Sequence, residues 1–128
     1  MRGLEGFGHA VVIWWAHEVD DPDLSALMDA GRPYARLDHD LGIFSTRSPL
    51  RSNPLALTVI KLASVDVEAG IIETPYFDAQ DGTPVLDLKP NTPSIDRVER
   101  PQLPAWCAHW PGSVETSGDF DWAGEFRF

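Results

Sequence analysis

Two prolines decide what the middle of this chain can become. Pro49 and Pro54 lie within Gly42–Thr58, GIFSTRSPLRSNPLALT. Each lacks a backbone donor and has its φ fixed by its ring. Ser48 and Asn53, the residues before them, are pushed towards extended backbone. The stretch is therefore neither a helix interior nor a regular central strand. With apolar Ile43 and Phe44 ahead of it and the run Leu55–Leu62 behind, it reads as strand, stiff polar loop, strand. The loop carries Arg47 and Arg51. A guanidinium offers paired, coplanar donors that suit a carboxylate or a phosphate. The competing reading is a solvated loop whose arginines only cover its surface.

Upstream, Leu4–His17 (LEGFGHAVVIWWAH) carries no charge from Ala10 to Ala16 and is rich in β-branched and aromatic residues. This predicts a central or doubly buried strand, with a bend or bulge at Gly6 and Gly8. His9 and His17 share a face of such a strand but stand roughly 26 Å apart if it stays straight, too far to share a metal. His17-Glu18 falls where the apolar run stops, either part of a site or simply facing water. Asp20, Asp21, Pro22 and Asp23 predict the start of a short helix through Leu24, Leu27 and Met28, ended by Gly31. The acidic cluster lacks calcium-loop spacing and matches a helix start that complements the dipole. Asp38-His39-Asp40 reads as turn surface.

Downstream, Ala56–Val67 alternates as a strand, with Leu57, Val59 and Lys61 on one face and Thr58, Ile60 and Leu62 on the other. Ile71–Phe77 reads as its hairpin return. Asp81-Gly82 is a strong turn signal, and Val85–Leu88 one more strand ended by Pro90. Asp87 and Lys89, two apart, share a face and predict an ion pair.

The chain of 128 residues suits one domain, with a core over residues 1–97 and a tail over 98–128. That tail holds Pro101, Pro104 and Pro111 among Trp106, Trp110 and Trp122. A helical turn at Pro104–Trp110 places Trp106 and Trp110 on one face, to cap the open end of a sheet or to bury in a partner. Cys107 is the only cysteine, which rules out an intrachain disulfide and a CxxC motif, and no metal site is expected. A net charge of −10 opposes non-specific binding to nucleic acid, though not binding through a local basic loop. The run Ala10–Ala16 is too short to span a bilayer and lacks a signal-peptide pattern, so a soluble, cytoplasmic protein is expected. No dinucleotide fingerprint, phosphate loop or nucleophile elbow is present. Strands are not interleaved with long helices, which leaves a mainly antiparallel β domain, closed or nearly closed into a barrel, with a short helix and an irregular Trp-rich tail.

Three blocks resemble the TrmO-type (TsaA-like, YaeB) S-adenosylmethionine-dependent tRNA methyltransferases. Arg2–Glu18 is similar to R-G-L-E-x-F-S-H followed by an apolar strand and a His. Gly42–Thr58 is similar to G-V-F-A-T-R-S-P-x-R-P-N-P-I-G-L-S, and Asp81–Pro93 (DGTPVLDLKPNTP) to D-G-T-P-V-L-D-I-K-P-Y-x-P. They follow the family's order over most of Arg2–Asp96. The chain departs from the pattern at Gly8, at Ser52, at Asn91 and in a shortened Arg36-Leu37 loop. It opens at Met1-Arg2-Gly3, where the family has earlier strands with a Pro-Arg-Gln cofactor motif, and so reads as a short form.

The resemblance implies an antiparallel β-barrel working as a homodimer with S-adenosylmethionine near the subunit contact. It implies methyl transfer to the exocyclic nitrogen of threonylcarbamoyl-adenosine in tRNA. Carried over by motif, the cofactor contacts are His17, Glu18, Arg47, Leu57, Ala79, Gln80, Asp81 and Gly82. Arg51, Asn53, Asp87 and Lys89 are candidates for substrate contact or for bracing the loop. Two alternatives stand beside the enzyme: a non-catalytic barrel that binds the cofactor or a nucleotide, and an interaction module whose Trp-rich tail docks a partner.

Overall fold

The charge-free run at the start of the chain forms the middle of the largest sheet. In the computed structural model, which describes residues 1–127, β1 (His9–Trp15) lies between β4 (Leu55–Lys61) and β7 (Val85–Pro90), antiparallel to both. Register runs from His9 opposite Lys61 to Trp15 opposite Leu55 on one side. On the other it runs from Ala10 opposite Pro90 to Trp14 opposite Val85, with Leu86 bulged out between Ile13 and Trp14. A fully paired centre demands residues that tolerate burial, which the run Ala10–Trp15 supplies.

The two faces differ. Ala10 (0% exposed), Val12 (3%) and Ile60 (5%) form a core closed by Leu4, Trp14, Leu62, Ile72, Phe77 and Leu88. Trp14 donates its indole N–H to Thr58 Oγ1 at 3.0 Å and meets Phe77 edge-on at 5.8 Å. That satisfies the one polar atom an otherwise apolar ring brings into the core. On the opposite face Leu57, Ile13 and Asp87 line up across the three strands, as do Val59, Val11 and Lys89.

Two further ribbons complete the strands: β2 (Asp29–Gly31) with β3 (Leu41–Gly42), and β5 (Ser64–Asp66) with β6 (Ile71–Glu73). Several expectations change here. The described residues form three separate sheets, and no closed barrel is found among them. Helix α1 is only Pro22–Ser25, capped by Asp21 Oδ1, which accepts from the N–H of Asp23 and Leu24. Gly31 ends a strand, at φ +61°, rather than the helix. The expected strand Ala56–Val67 breaks after Lys61, and its return ends at Glu73. Ile43 and Phe44 leave β3 for a 3-10 turn, Ile43–Ser45, and His17 leaves β1 for another, His17–Val19.

The tail does not cap the sheet. It packs on the segment around β2 and β3, where Tyr34, Leu37 and Leu41 form a second core with Trp106 and Trp110. Trp106 stacks on Tyr34 (5.0 Å, 10°), and Trp110 meets both rings edge-on. This is the shared face expected for the two tryptophans, around the turn Ala105–Cys107. Backbone bonds from Ala35 to Glu125 and from Arg127 to Pro33 lock the tail down. Glu125 (5% exposed) anchors it, accepting from Trp110 Nε1 at 3.0 Å and lying 2.9 Å from His109 Nε2. Burial acts to raise the Glu125 pKa. The hydrogen bonds from Trp110 and His109, and the charges of His109 and Arg36, outweigh it and hold the group below its ordinary value.

Candidate functional site

The three sequence blocks meet where β1 ends. Trp15 donates its backbone N–H to the Pro84 carbonyl (3.0 Å), and Ala16 donates to the Pro54 carbonyl (2.8 Å). The strand exit is thereby clamped between the loop before β7 and the end of the arginine loop. Prolines suit both positions, because each is asked only to accept. One residue on, His17 Nδ1 lies 3.4 Å from Thr83 Oγ1. Glu18 follows, exposed, in the same turn. Trp15 Nε1 donates to Asp20 Oδ2 at 3.0 Å, which holds the chain beyond it.

The second wall is the turn Ala79–Gly82. Thr83 N–H closes it on the Gln80 carbonyl at 3.1 Å. Gly82 adopts φ +77°, the left-handed backbone that a side chain disfavours, so the Asp81-Gly82 turn signal has a geometric cause. Gln80, Asp81 and Gly82 are exposed.

The arginine loop forms the third wall, and its two arginines do different work. Arg51 is half-buried and turned inward: Nη2 donates to the carbonyls of Ile43 (2.9 Å) and Thr46 (2.6 Å), and its guanidinium stands over the Phe44 ring. The hydroxyl of buried Thr46 donates to Ile43 O and accepts from the Ser48 N–H. Arg51 therefore braces the loop. Arg47 is exposed and, among the described residues, makes one such bond, from Nη2 to the Leu57 carbonyl on edge strand β4, at 2.8 Å. Asn53 is also exposed, its carbonyl accepting from Leu55 N–H at the loop's last turn.

Leu57 is 48% exposed, an apolar side chain one row across from Asp87 through Ile13. Asp87 pairs with Lys89 at 2.7 Å, as the spacing on one face predicts, and the Lys89 hydrogen bond lowers the Asp87 pKa. His17, the Ala79–Gly82 turn, Asn53, Arg47 and Leu57 thus border one end of the sheet, while Arg51 faces into the loop. Pro54 and Leu57 are three strand residues apart, about 10 Å. Thr83, inside the D-G-T-P block, is a further member of the site, and nothing in its sequence position marks its contact with His17. The carbonyls of Pro54 and Pro84 carried no side-chain signal at all.

These residue types fit a small zwitterionic nucleoside. Arg47 keeps donors beyond Nη2 for a carboxylate, Glu18 offers acceptors for ribose hydroxyls, and exposed Leu57 offers an apolar wall for a base. Among the described residues no group of three or more His, Cys, Asp or Glu side chains is arranged to hold a metal, and no helix is long and apolar enough to cross a membrane.

Residues 1–97 match the tRNA-methyltransferase O N-terminal domain, and the chain belongs to that family. A probable S-adenosyl-L-methionine-binding protein of Halobacterium salinarum is 43% identical over 88 residues, covering 69% of this chain and 63% of that protein. A tRNA (adenine(37)-N6)-methyltransferase of Eikenella corrodens is 38% identical over 86 residues, 66% of this chain and 46% of its own length. The crystal structure of TrmO from Pseudomonas aeruginosa superposes with a TM-score of 0.59 at 31% identity, over 79% of this chain and 39% of that one. The chain thus spans less than two thirds of the length of each.

Proposed function

We propose that this chain binds S-adenosylmethionine where its three motif blocks converge and transfers the methyl group to an adenine nitrogen of tRNA. The observation that carries the reading is the double clamp of Trp15 on Pro84 and Ala16 on Pro54. It brings His17, the Ala79–Gly82 turn and the arginine loop to one strand end. The names of the relatives, an S-adenosyl-L-methionine-binding protein and tRNA methyltransferases, support both cofactor and substrate class.

When bound, the cofactor supplies a methyl carbon activated by its sulfonium. The chain's own part is alignment, which can account for most of the acceleration of such a transfer. Arg47 holds the carboxylate, Glu18 and His17 the ribose side, and Leu57 with the Ala79–Gly82 backbone the base. Arg51 keeps the loop in shape, and Asn53, Asp87 and Lys89 face the acceptor. No side chain is assigned as general base. Following the resemblance, the acceptor is N6 of threonylcarbamoyl-adenosine, and a cytoplasmic location goes with that substrate. The implied barrel and homodimer belong to the same proposal: β4 and β7 are both edge strands among the described residues, open to pairing with a second copy.

The second reading is a non-catalytic cofactor-binding protein, favoured by the name of the Halobacterium relative. Incubation with methyl-tritiated S-adenosylmethionine and bulk tRNA separates the two. Label retained on RNA and mapped to an adenosine supports the enzyme; cofactor binding with no label transferred supports the second reading.

A further inference from the structure

A cleft of about 900 Å³ lies between the segment 36–41 and the tail, with Ser45 of the arginine loop at its side, and its lining includes Arg36, Trp106, Cys107 and Trp110. One side of Trp106 is taken by Tyr34, and the ring also lines the cleft. Buried Glu125 fixes Trp110 behind it, so the aromatic wall is rigid. Arg36 stands exposed at the rim and makes no ion pair among the described residues. The acid beside it, Asp38, is engaged by His39 at 2.7 Å. The charge of Arg36 acts on buried Glu125, and the guanidinium itself remains exposed beside a half-buried indole. Ser45 belongs to the same loop as Arg47, so the cleft adjoins the site described above. Trp106 and Trp110 fall outside the residues that match the family.

We propose that this cleft is a second binding site, for one unstacked nucleotide of single-stranded RNA, with the base stacked on Trp106 and its phosphate on Arg36. Stacking on a fixed aromatic ring with a guanidinium for the backbone is how proteins hold bases splayed from a loop. The choice of RNA as the source rests on the methyl-transfer reading.

The test is calorimetric titration of the full chain with adenosine, adenosine 5′-monophosphate and a five-residue oligoadenylate, each with and without saturating S-adenosylmethionine. The proposal expects the monophosphate to bind below about 1 mM, the oligoadenylate to bind more tightly still, and neither to be displaced by S-adenosylmethionine. Arg36→Gln, at an exposed residue whose charge also acts on Glu125, should weaken the monophosphate about fivefold and leave adenosine unchanged, with thermal melting to show that the tail stays docked. Trp106→Ala should abolish binding of all three, while Trp106→Phe retains most of it. No binding at about 10 mM, displacement by S-adenosylmethionine, or indifference to Arg36→Gln overturns the site. An oligoadenylate no tighter than the monophosphate overturns RNA as its source. Nucleotide binding that responds to Arg36→Gln in a chain that fails to bind S-adenosylmethionine upholds the cleft and removes the methyl-transfer reading.

Discussion

The backbone N–H of Ala16 donates to the carbonyl of Pro54 at 2.8 Å, and this bond joins the end of the central strand to the end of the arginine loop. Pro54 is fully buried, so the loop's last turn cannot shift without disturbing the core. Changes in that loop therefore divide between those felt by the whole fold and those felt only at the site.

Arg51 is on the fold side of that division. Arg51→Ala removes two charge-assisted bonds and leaves the Ile43 and Thr46 carbonyls to find other donors, at an expected cost of about 1–3 kcal/mol. Arg51→Lys should recover only part of this, because an ammonium can donate to both carbonyls but lacks the guanidinium plane that lies over the Phe44 ring. Urea denaturation of the two variants checks this, and a loss confined to cofactor affinity would contradict the bracing role.

Gly82→Ala tests the turn. No atom stands within 4 Å of the added methyl, so crowding plays no part, but φ is +77°. The left-handed backbone should cost about 1–2 kcal/mol. Thermal melting measures that cost, and a weaker affinity for S-adenosylmethionine is expected with it. Unchanged stability would mean that the turn relaxes without penalty.

Acid should loosen the tail before the main sheet. Glu125 has a lowered pKa in the folded chain, so its contribution is present above the ordinary glutamate value of about 4.3 and is lost as pH falls through the lowered one. Tryptophan emission followed from pH 7 to 3 should shift below about pH 4.3, while Glu125→Gln is less stable at pH 7 and loses the acid step. An identical acid transition in both proteins would assign it elsewhere.

Core side chains set the other limit. Ile60→Ala removes a side chain buried between Ala10 and Val12 and should cost about 2–5 kcal/mol. The midpoint of urea unfolding measures it, and a cost below about 1 kcal/mol would show that the face refills.

The parts legible in the sequence were those governed by local chemistry. Lack of charge from Ala10 to Ala16 marks a central strand, Asp81-Gly82 marks a turn that needs positive φ, and Asp87 with Lys89 marks a local pair. The parts missed depend on distant partners. Asp29–Gly31 pairs with only two residues of β3, too short a ladder to leave a pattern. The tail's destination is set by Tyr34, Leu37 and Leu41, apolar residues in a connection with no regular period, and Glu125 gives no sign of its burial until His109 and Trp110 are folded around it. For Arg51 the sequence leaves substrate contact and bracing of the loop both open, and only the fold, which turns it inward while Arg47 stays exposed, separates them.

Whether Arg47 holds the cofactor is decided by calorimetric titration of the wild-type chain and of Arg47→Ala with S-adenosylmethionine. Arg47 is exposed, and its loss should alter stability by no more than about 0.5 kcal/mol. The wild type should bind in the micromolar range, about −8 kcal/mol, and a folded Arg47→Ala should show no detectable binding. Undiminished binding by Arg47→Ala, or no heat from the wild type at about 1 mM cofactor, would contradict that role.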